Sequence, residues 1–511
     1  MVPDPLRGLT EAQREAAAHS GGALLVLGGA GTGKTRTLVA RFAWLVDQGT
    51  APERIALLTA TPAMADTARA RVEETIERAY EELAVATVPD LCARLLHEES
   101  LAAGIDPFAV TVSPADRLAL LLERIEELPL RSHDFQGNPA ALLASFIERI
   151  DRLKAELVTA EEYAAWAATL PGGDEGDPAR EEALRQHEFA EVYRAHDRLL
   201  AEMGMLDAGD LVVRTHALLS EGSALGARLA ARFDHVLADE FEELDLGPAS
   251  VVGGLASGEG TLVAAAGPDE TVQRFRAAAD ANVRAFLAAR PAPRVVRLER
   301  SLRCRAPVLA AARAVVEPVA KLEQPPTGAD GPEVAFWRCA NERAQAQSVA
   351  ADIETLLARG GVAPESVCVL VRSVRREGQA IAVALEERAV AHRLVGAAAF
   401  FQRAEIRDVL AWLRLLADPG DAGAVVRALA RPPVELRSID LARCIQIARR
   451  RKLDMVSALV AATESPQLPP EARDRILDFL QRHRAASAAL DTTRPDLFVH
   501  RLIERLGLRR H

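Results

Sequence analysis

Gly28-Gly29-Ala30-Gly31-Thr32-Gly33-Lys34-Thr35 is the stretch on which the reading of this chain turns. It fits the pattern G-x-x-x-x-G-K-[ST], follows the apolar run 23–27 and precedes a helical pattern, the strand–loop–helix setting in which such a loop wraps phosphates. Glycines let successive backbone N–H groups close around an anion, and the helix that follows adds the positive end of its dipole. In that arrangement Lys34 reaches the β- and γ-phosphates of a nucleotide and the Thr35 hydroxyl holds Mg²⁺. Only four lysines occur in the whole sequence (Lys34, Lys154, Lys321 and Lys452) against 58 arginines. A lysine kept at this position argues for a compact ammonium that the planar guanidinium cannot replace.

Outward from the loop, short apolar runs alternate with helical patterns, the signature of a parallel α/β sheet. Runs 23–27, 55–59, 235–238 and 261–266 read as buried strands of a first region, and 295–298, 333–337 and 367–371 as strands of a second. Asp239-Glu240 directly follows the run Val236-Leu237-Ala238, so both carboxylates stand at a strand's C-terminal end. A bare Asp-Glu pair is commonly surface charge. With the phosphate loop upstream, Asp239 is expected to complete a metal shell and Glu240 to act as the base that orients water.

Between the second and third strands of the first region lies a long helical stretch. Ser113-Pro114-Ala115-Asp116 offers an N-cap serine, a proline in the first turn and an acid at N3, and Asn138-Pro139 starts the next helix similarly. Residues 171–178 and 324–332 read as loops, and from about residue 400 the pattern is helical. The expected organisation is an α/β nucleotide-binding domain of residues 1–112 and 206–290, a helical insertion 113–205, a second, partial α/β domain 291–398, and a helical domain 399–511.

Composition sets the bounds. A chain of 511 residues, 49% apolar and 26% charged, reads as a soluble globular protein of several domains and excludes disordered or fibrous classes. The net charge of −11 excludes a basic nucleic-acid coat but not a motor with a local basic track. Five scattered cysteines with no CxxC pair, no secretory signal and no apolar run of membrane-spanning length point to a reduced, cytoplasmic setting without zinc or iron–sulfur sites.

The neighbouring residues resemble the UvrD/Rep/PcrA group of superfamily 1 DNA helicases, in order along almost the entire chain. Leu9-Thr10-Glu11-Ala12-Gln13-Arg14-Glu15-Ala16 is similar to the family's Q motif, which implies that Gln13 reads the adenine edge. Residues 28–35 with Arg36 resemble motif I, and Asp239-Glu240-Phe241-Glu242-Glu243 resembles the motif II pattern DEFQD. Arg297-Leu298-Glu299-Arg300-Ser301-Leu302-Arg303 is similar to RLEQNYR, implying that Arg303 approaches the γ-phosphate. Leu206-Asp207-Ala208-Gly209-Asp210-Leu211 resembles LDFDDLL, and Phe400-Phe401-Gln402-Arg403-Ala404-Glu405-Ile406-Arg407-Asp408 resembles FFERxEIKD. The resemblance implies two RecA-like domains, Mg-ATP hydrolysis, and 3′→5′ movement on single-stranded DNA and at junctions with duplex, in repair or recombination.

The chain also departs from the family. Motif III, close to GDPDQSIYGFRGA in the family, here reads Ala266-Gly267-Pro268-Asp269-Glu270-Thr271-Val272-Gln273-Arg274-Phe275-Arg276, so Glu270 replaces the phosphate-sensing glutamine. A carboxylate there is expected to repel the phosphate unless a cation intervenes. All three tyrosines lie elsewhere, at positions 80, 163 and 193, and Leu302 stands where the family stacks a tyrosine on adenine. Phe275 and Arg276 match the motif III single-strand platform, where each stacked base contributes roughly 1–3 kcal/mol. Thr59 and Thr61 match motif Ia, and Thr87 stands in the segment similar to Thr-Phe-His-Ser, whose aromatic and histidine are lost. Weaker single-strand binding is expected from these losses.

No segment resembles the family's motifs V or VI, which lie beyond the point matching His511. The motif VI arginine is of a type worth about 10³–10⁵ in rate, so slow hydrolysis is expected of this stretch by itself. Three readings follow: the N-terminal part of an ATP-dependent DNA helicase; the motor portion of an AdnAB- or RecB-like helicase–nuclease with a partner subunit; and a nucleotide- or DNA-binding paralogue that does not unwind. Motif order over nearly the whole chain favours the first.

Overall fold

The computed structural model describes residues 4–131, 133, 139–171, 177–256, 260–270, 279–289, 293–316, 327–395, 404–466, 468–490 and 492–507. The chain divides into two compact units, Met1–Ala335 and Phe336–His511.

The first unit is built on a six-stranded sheet of β1 (Ala23–Gly28), β2 (Ile55–Thr59), β3 (Ala84–Thr87), β6 (His235–Ala238), β7 (Thr261–Ala266) and β8 (Arg294–Leu298), with the two-residue strands β4 (Val110–Thr111) and β5 (Met205–Leu206) apart from it. The order is β3-β2-β6-β7-β1-β8, and every pairing is parallel. Strands covered on both faces read as uninterrupted apolar runs, which is why 23–27, 55–59 and 261–266 stand out in the sequence. Successive side chains divide between two cores. Leu24, Val26, Leu57, Leu237 and Val263 pack with the helix Lys34–Asp47 through Leu38 and Phe42. Leu25, Leu58, Val236, Leu262 and Ala264 pack on the other face with Leu91, Leu95, Val251 and Leu255.

Between β4 and β5, which pair in parallel, the chain runs through helices Pro114–Glu123, Pro139–Ala155, Ala160–Ala167 and Pro178–Glu202. They share a core of their own around Leu121, Phe146, Ile150, Phe189 and Tyr193. Ser113 caps the first of them with its hydroxyl on the Asp116 amide, as its Ser-Pro-x-Asp pattern predicts.

Three strand expectations differ from the structure. Run 295–298, read as the start of a second sheet, is β8, and it pairs with β1 from Leu24↔Arg294 to Gly28↔Leu298. Its Val296 and Leu298 are buried while Arg294, Val295 and Arg297 are exposed, the half-covered pattern of an edge strand. Runs 333–337 and 367–371 form no strand. A parallel strand needs a neighbour to complete its ladder, and the described residues of the second unit contain none. Phe336 is 80% and Leu370 90% exposed.

The second unit is helical among its described residues. Glu342–Ala358 and Gln379–Glu386 share a small core of Ala346, Ala350, Ile353, Ala384 and Leu385. The helices from Ala404–Ala417 to Pro495–Arg505 enclose a larger one around Trp412, Leu415, Cys444, Ile476 and Phe479. No helix among the described residues is long and apolar enough to cross a membrane.

A buried ion cluster fastens the inserted helices to the sheet domain. The Lys154 ammonium lies 3.0 Å from Asp207 Oδ2, 2.6 Å from Asp210 Oδ1 and 2.9 Å from Asp197 Oδ1. Arg117 bridges Asp207 at 3.0 Å and Asp151 at 2.7 Å. Burial works against the charge on Lys154, but the three carboxylates outweigh it and hold its pKa above the ordinary lysine value. Removing one partner of such a cluster leaves uncompensated buried charge. Lys154→Met is therefore expected to destabilise the chain by about 3–5 kcal/mol in urea unfolding. A loss under about 1 kcal/mol would show that the aspartates are satisfied without it.

Candidate functional site

Strands β6, β7 and β1 lie side by side and parallel, so their C-terminal ends open onto one edge of the sheet. In open parallel sheets that edge is where ligands bind. Each of the three ends carries part of the candidate site: the glycine-rich loop after β1, Asp239-Glu240 after β6, and the turn 267–270 after β7.

The loop leads straight into the helix Lys34–Asp47, whose N-cap is Gly33 at φ 90 with no side-chain cap bond. That left-handed conformation suits glycine, and the first-turn N–H groups are left without a capping side chain. Lys34 curls back over the loop. Its Nζ donates to Gly28 O at 2.9 Å and Gly29 O at 3.4 Å, and pairs with Glu270 Oε2 at 2.6 Å. Thr32 Oγ1 ties the loop to itself by donating to Gly29 O at 2.9 Å.

Asp239 is fully buried, with its N–H donating to Leu58 O on the neighbouring strand. Its Oδ2 accepts from Thr35 Oγ1 at 2.5 Å, so the two expected metal ligands already face one another. Burial raises the Asp239 carboxyl, against the Thr35 hydrogen bond and Lys34. Glu240 follows at φ 49, a left-handed conformation uncommon outside glycine, and it is half-buried. Burial, reinforced by Asp239, pushes its carboxyl up to about 7. A carboxylate in that range is matched to accepting a proton near neutrality.

Two residues at this edge escape a reading for chemistry. Glu242 is 2% exposed, and burial, opposed by Lys34, pushes it up to about 7. Ser301 is buried beside the loop, where its Oγ donates to Ala30 O at 2.8 Å and accepts from Cys304 N–H at 3.0 Å. The next amide, Leu302 N–H, donates to Gly31 O at 2.8 Å. Gly31 makes room for this contact: a Cβ there would stand 2.7 Å from Ser301 Oγ and 2.9 Å from Arg303 Cβ. Only the string of small residues around Gly31 hints at it in the sequence.

The remaining expected site residues are placed as follows. Gln13 is buried with both ends of its amide engaged: Nε2 donates to Thr32 O at 2.8 Å and Oε1 accepts from Thr10 N–H at 3.0 Å. It braces the loop from behind. Arg36 is exposed and donates to Gly8 O at 3.0 Å. Arg303 is exposed next to Gly31, and Leu302 presents a side chain 44% exposed. Thr59 and Thr87 end adjacent strands in direct register, and both are buried. Their hydroxyls are committed locally, Thr59 to Thr61 O at 3.1 Å and Thr87 to Asp90 Oδ2 at 2.6 Å. Thr61 is the N-cap of helix Pro62–Thr75 and makes no side-chain cap bond. Phe275 and Arg276 lie outside the described residues.

Residues 9–290 match the UvrD/REP helicase N-terminal domain and residues 296–465 the UvrD-like helicase C-terminal domain. The chain is similar to DNA helicase II of Escherichia coli (strain K12), 27% identical over 99% of this chain and 67% of that one. It is also similar to ATP-dependent DNA helicase UvrD1 of Mycobacterium tuberculosis (strain ATCC 25618 / H37Rv), 28% identical over 99% of this chain and 65% of that one. ATP-dependent DNA helicase PcrA of Bacillus subtilis (strain 168) is 26% identical over 89% of this chain and 59% of that one. The chain thus spans about two thirds of the length of the relatives it matches.

Ser301 gives a direct test of the loop's bracing. Ser301→Ala leaves Ala30 O and Cys304 N–H without this partner, and amide exchange in residues 29–33 is expected to quicken about tenfold. Unchanged exchange there would mean that the Ser301 contact does not hold the loop.

Proposed function

The chain belongs to the UvrD/REP helicase family, and from that premise we propose that it is an ATP-dependent DNA motor, coupling Mg-ATP hydrolysis to 3′→5′ movement on single-stranded DNA and at junctions with duplex. The observation that carries the proposal is the convergence of Lys34, the Thr35–Asp239 pair and Glu240 at the ends of adjacent parallel strands.

In this reading the polyphosphate lies in the loop 28–35, on the free N–H groups of the helix Lys34–Asp47, with the Lys34 ammonium against its β- and γ-oxygens. Thr35 Oγ1 and Asp239 Oδ2, hard oxygen donors 2.5 Å apart, suit Mg²⁺, which is commonly bound by one or two carboxylates together with substrate phosphates. When bound, the ion supplies charge neutralisation of the phosphate oxygens. Glu240 orients the attacking water and takes its proton. Gln13 holds the back of the loop through Thr32 and senses adenine from there. Arg303 and Arg36, exposed at the loop's margin, meet the nucleotide from outside.

Single-stranded DNA is assigned to the C-terminal ends of β2 and β3, through Thr59, Thr61 and Thr87, together with Phe275 and Arg276. That assignment rests on the family resemblance of these segments. A second reading, a nucleotide- or DNA-binding relative that does not unwind, is favoured by the Glu270 carboxylate seated on Lys34.

Calorimetry with Mg-ATP tests the phosphate site: Lys34→Ala is expected to abolish binding, and equal affinity for mutant and wild type would contradict it. Glu240→Gln is expected to keep Mg-ATP affinity within about threefold while single-strand-stimulated hydrolysis falls by about 10²–10⁴. Full hydrolysis in that variant would remove Glu240 from the role of base.

A further inference from the structure

Lys34 is a cation hydrogen-bonded within the glycine-rich loop, and it is already in use. Glu270 Oε2 stands 2.6 Å from its Nζ, with the Lys34 side chain 10% and the Glu270 side chain 29% exposed. A carboxylate and a phosphate oxygen offer an ammonium the same thing, a negatively charged acceptor at charge-assisted hydrogen-bond distance. The turn after β7 is shaped for this contact. Glu270 N–H donates to Gly267 O at 2.7 Å, and a Cβ on Gly267 would stand 2.7 Å from Glu270 Oε2 and 2.9 Å from Lys34 Nζ.

We propose that Glu270 sets the nucleotide affinity of this site: its carboxylate is an internal counter-ion that occupies Lys34 in place of a phosphate, and a polyphosphate binds only by displacing it. This rests on the reading of residues 28–35 as the phosphate site. Nothing covalent changes in the exchange. One anion leaves the lysine and another takes its place.

Two further observations support it. Glu270 Oε1 is buried with no hydrogen-bond partner among the described residues, so the Lys34 contact is the carboxylate's main anchor and its release breaks little else. Asp239, Glu240 and Glu242 all lie within the electrostatic reach of Lys34. An incoming polyphosphate therefore meets a surplus of carboxylates, and the displaced Glu270 stays close enough to repel it. Glutamine at the same position could touch Lys34 through its carbonyl oxygen but would carry no charge to compete.

The test compares wild type with Glu270→Gln and Glu270→Ala, with far-UV circular dichroism to confirm folding, using Mg-ATP, Mg-pyrophosphate and adenosine as ligands in titration calorimetry. Both variants are expected to bind Mg-ATP and Mg-pyrophosphate about ten- to a hundredfold more tightly than wild type, with adenosine unchanged. Confinement of the gain to phosphate-bearing ligands separates loss of a competing anion from a general change in the site. Wild type and variants binding Mg-ATP within about threefold of one another would overturn the proposal while leaving the phosphate site standing. Weaker binding by Glu270→Gln would overturn it too, by showing that the carboxylate helps to hold the nucleotide. No binding by any of the three proteins would overturn both this proposal and the phosphate site beneath it.

Discussion

The parallel register of β6, β7 and β1 is the constraint on which the candidate site depends. Because β7 pairs with β6 from His235↔Thr261 and with β1 from Ala23↔Leu262, the three strands finish almost level. Their last residues therefore deliver a glycine-rich loop, a pair of carboxylates and a turn ending in Glu270 to one small volume. Residues 204 positions apart, Thr35 and Asp239, meet at 2.5 Å, and residues 236 apart, Lys34 and Glu270, at 2.6 Å. Apolar burial on both faces of the sheet fixes that register, since a one-residue slip would move the inward set of every strand to the wrong core.

Charge is the second organising quantity. The overall −11 says little about the site, whereas the local ratio of one lysine to Asp239, Glu240, Glu242 and Glu270 says a great deal. Burial and mutual repulsion push Glu240 and Glu242 up to about 7, and Lys34 is drawn to Glu270. In the proposed reading, a site so loaded with negative charge would be completed by a cation arriving with the nucleotide, the role the family resemblance gives to magnesium. The same economy of lysine recurs at Lys154, buried among three aspartates where the inserted helices meet the sheet domain. Two of the four lysines in the chain thus sit in ion clusters where an ammonium's compactness and three donors are used.

The loop 28–35 and the strand ahead of Asp239 are legible in the sequence because their physics is local: glycines where the backbone must wrap, and continuous apolar runs where both faces are covered. Long-range pairing is not written locally. Val295 to Leu298 has the look of a strand, but nothing in four residues says that its partner is β1 rather than a second sheet. Runs 333–337 and 367–371 have strand composition and no neighbouring strand among the described residues. Glu270 can be recognised as a departure from the family pattern, yet its attachment to Lys34 depends on how β7 lies against β1. Ser301 and Gln13 show the same limit. Each is an ordinary polar residue until folding places it against Ala30 or Thr32.

The central claim is that the meeting point of β1, β6 and β7 receives nucleotide phosphates through Lys34. An experimental structure of the chain bound to magnesium and a non-hydrolysable ATP analogue tests it most directly. The expected result is a phosphate oxygen within hydrogen-bond distance of Lys34 Nζ, with the Glu270 carboxylate moved off that ammonium. A nucleotide bound elsewhere, or one bound at the loop with no phosphate oxygen within hydrogen-bond distance of Lys34 Nζ, would contradict the claim.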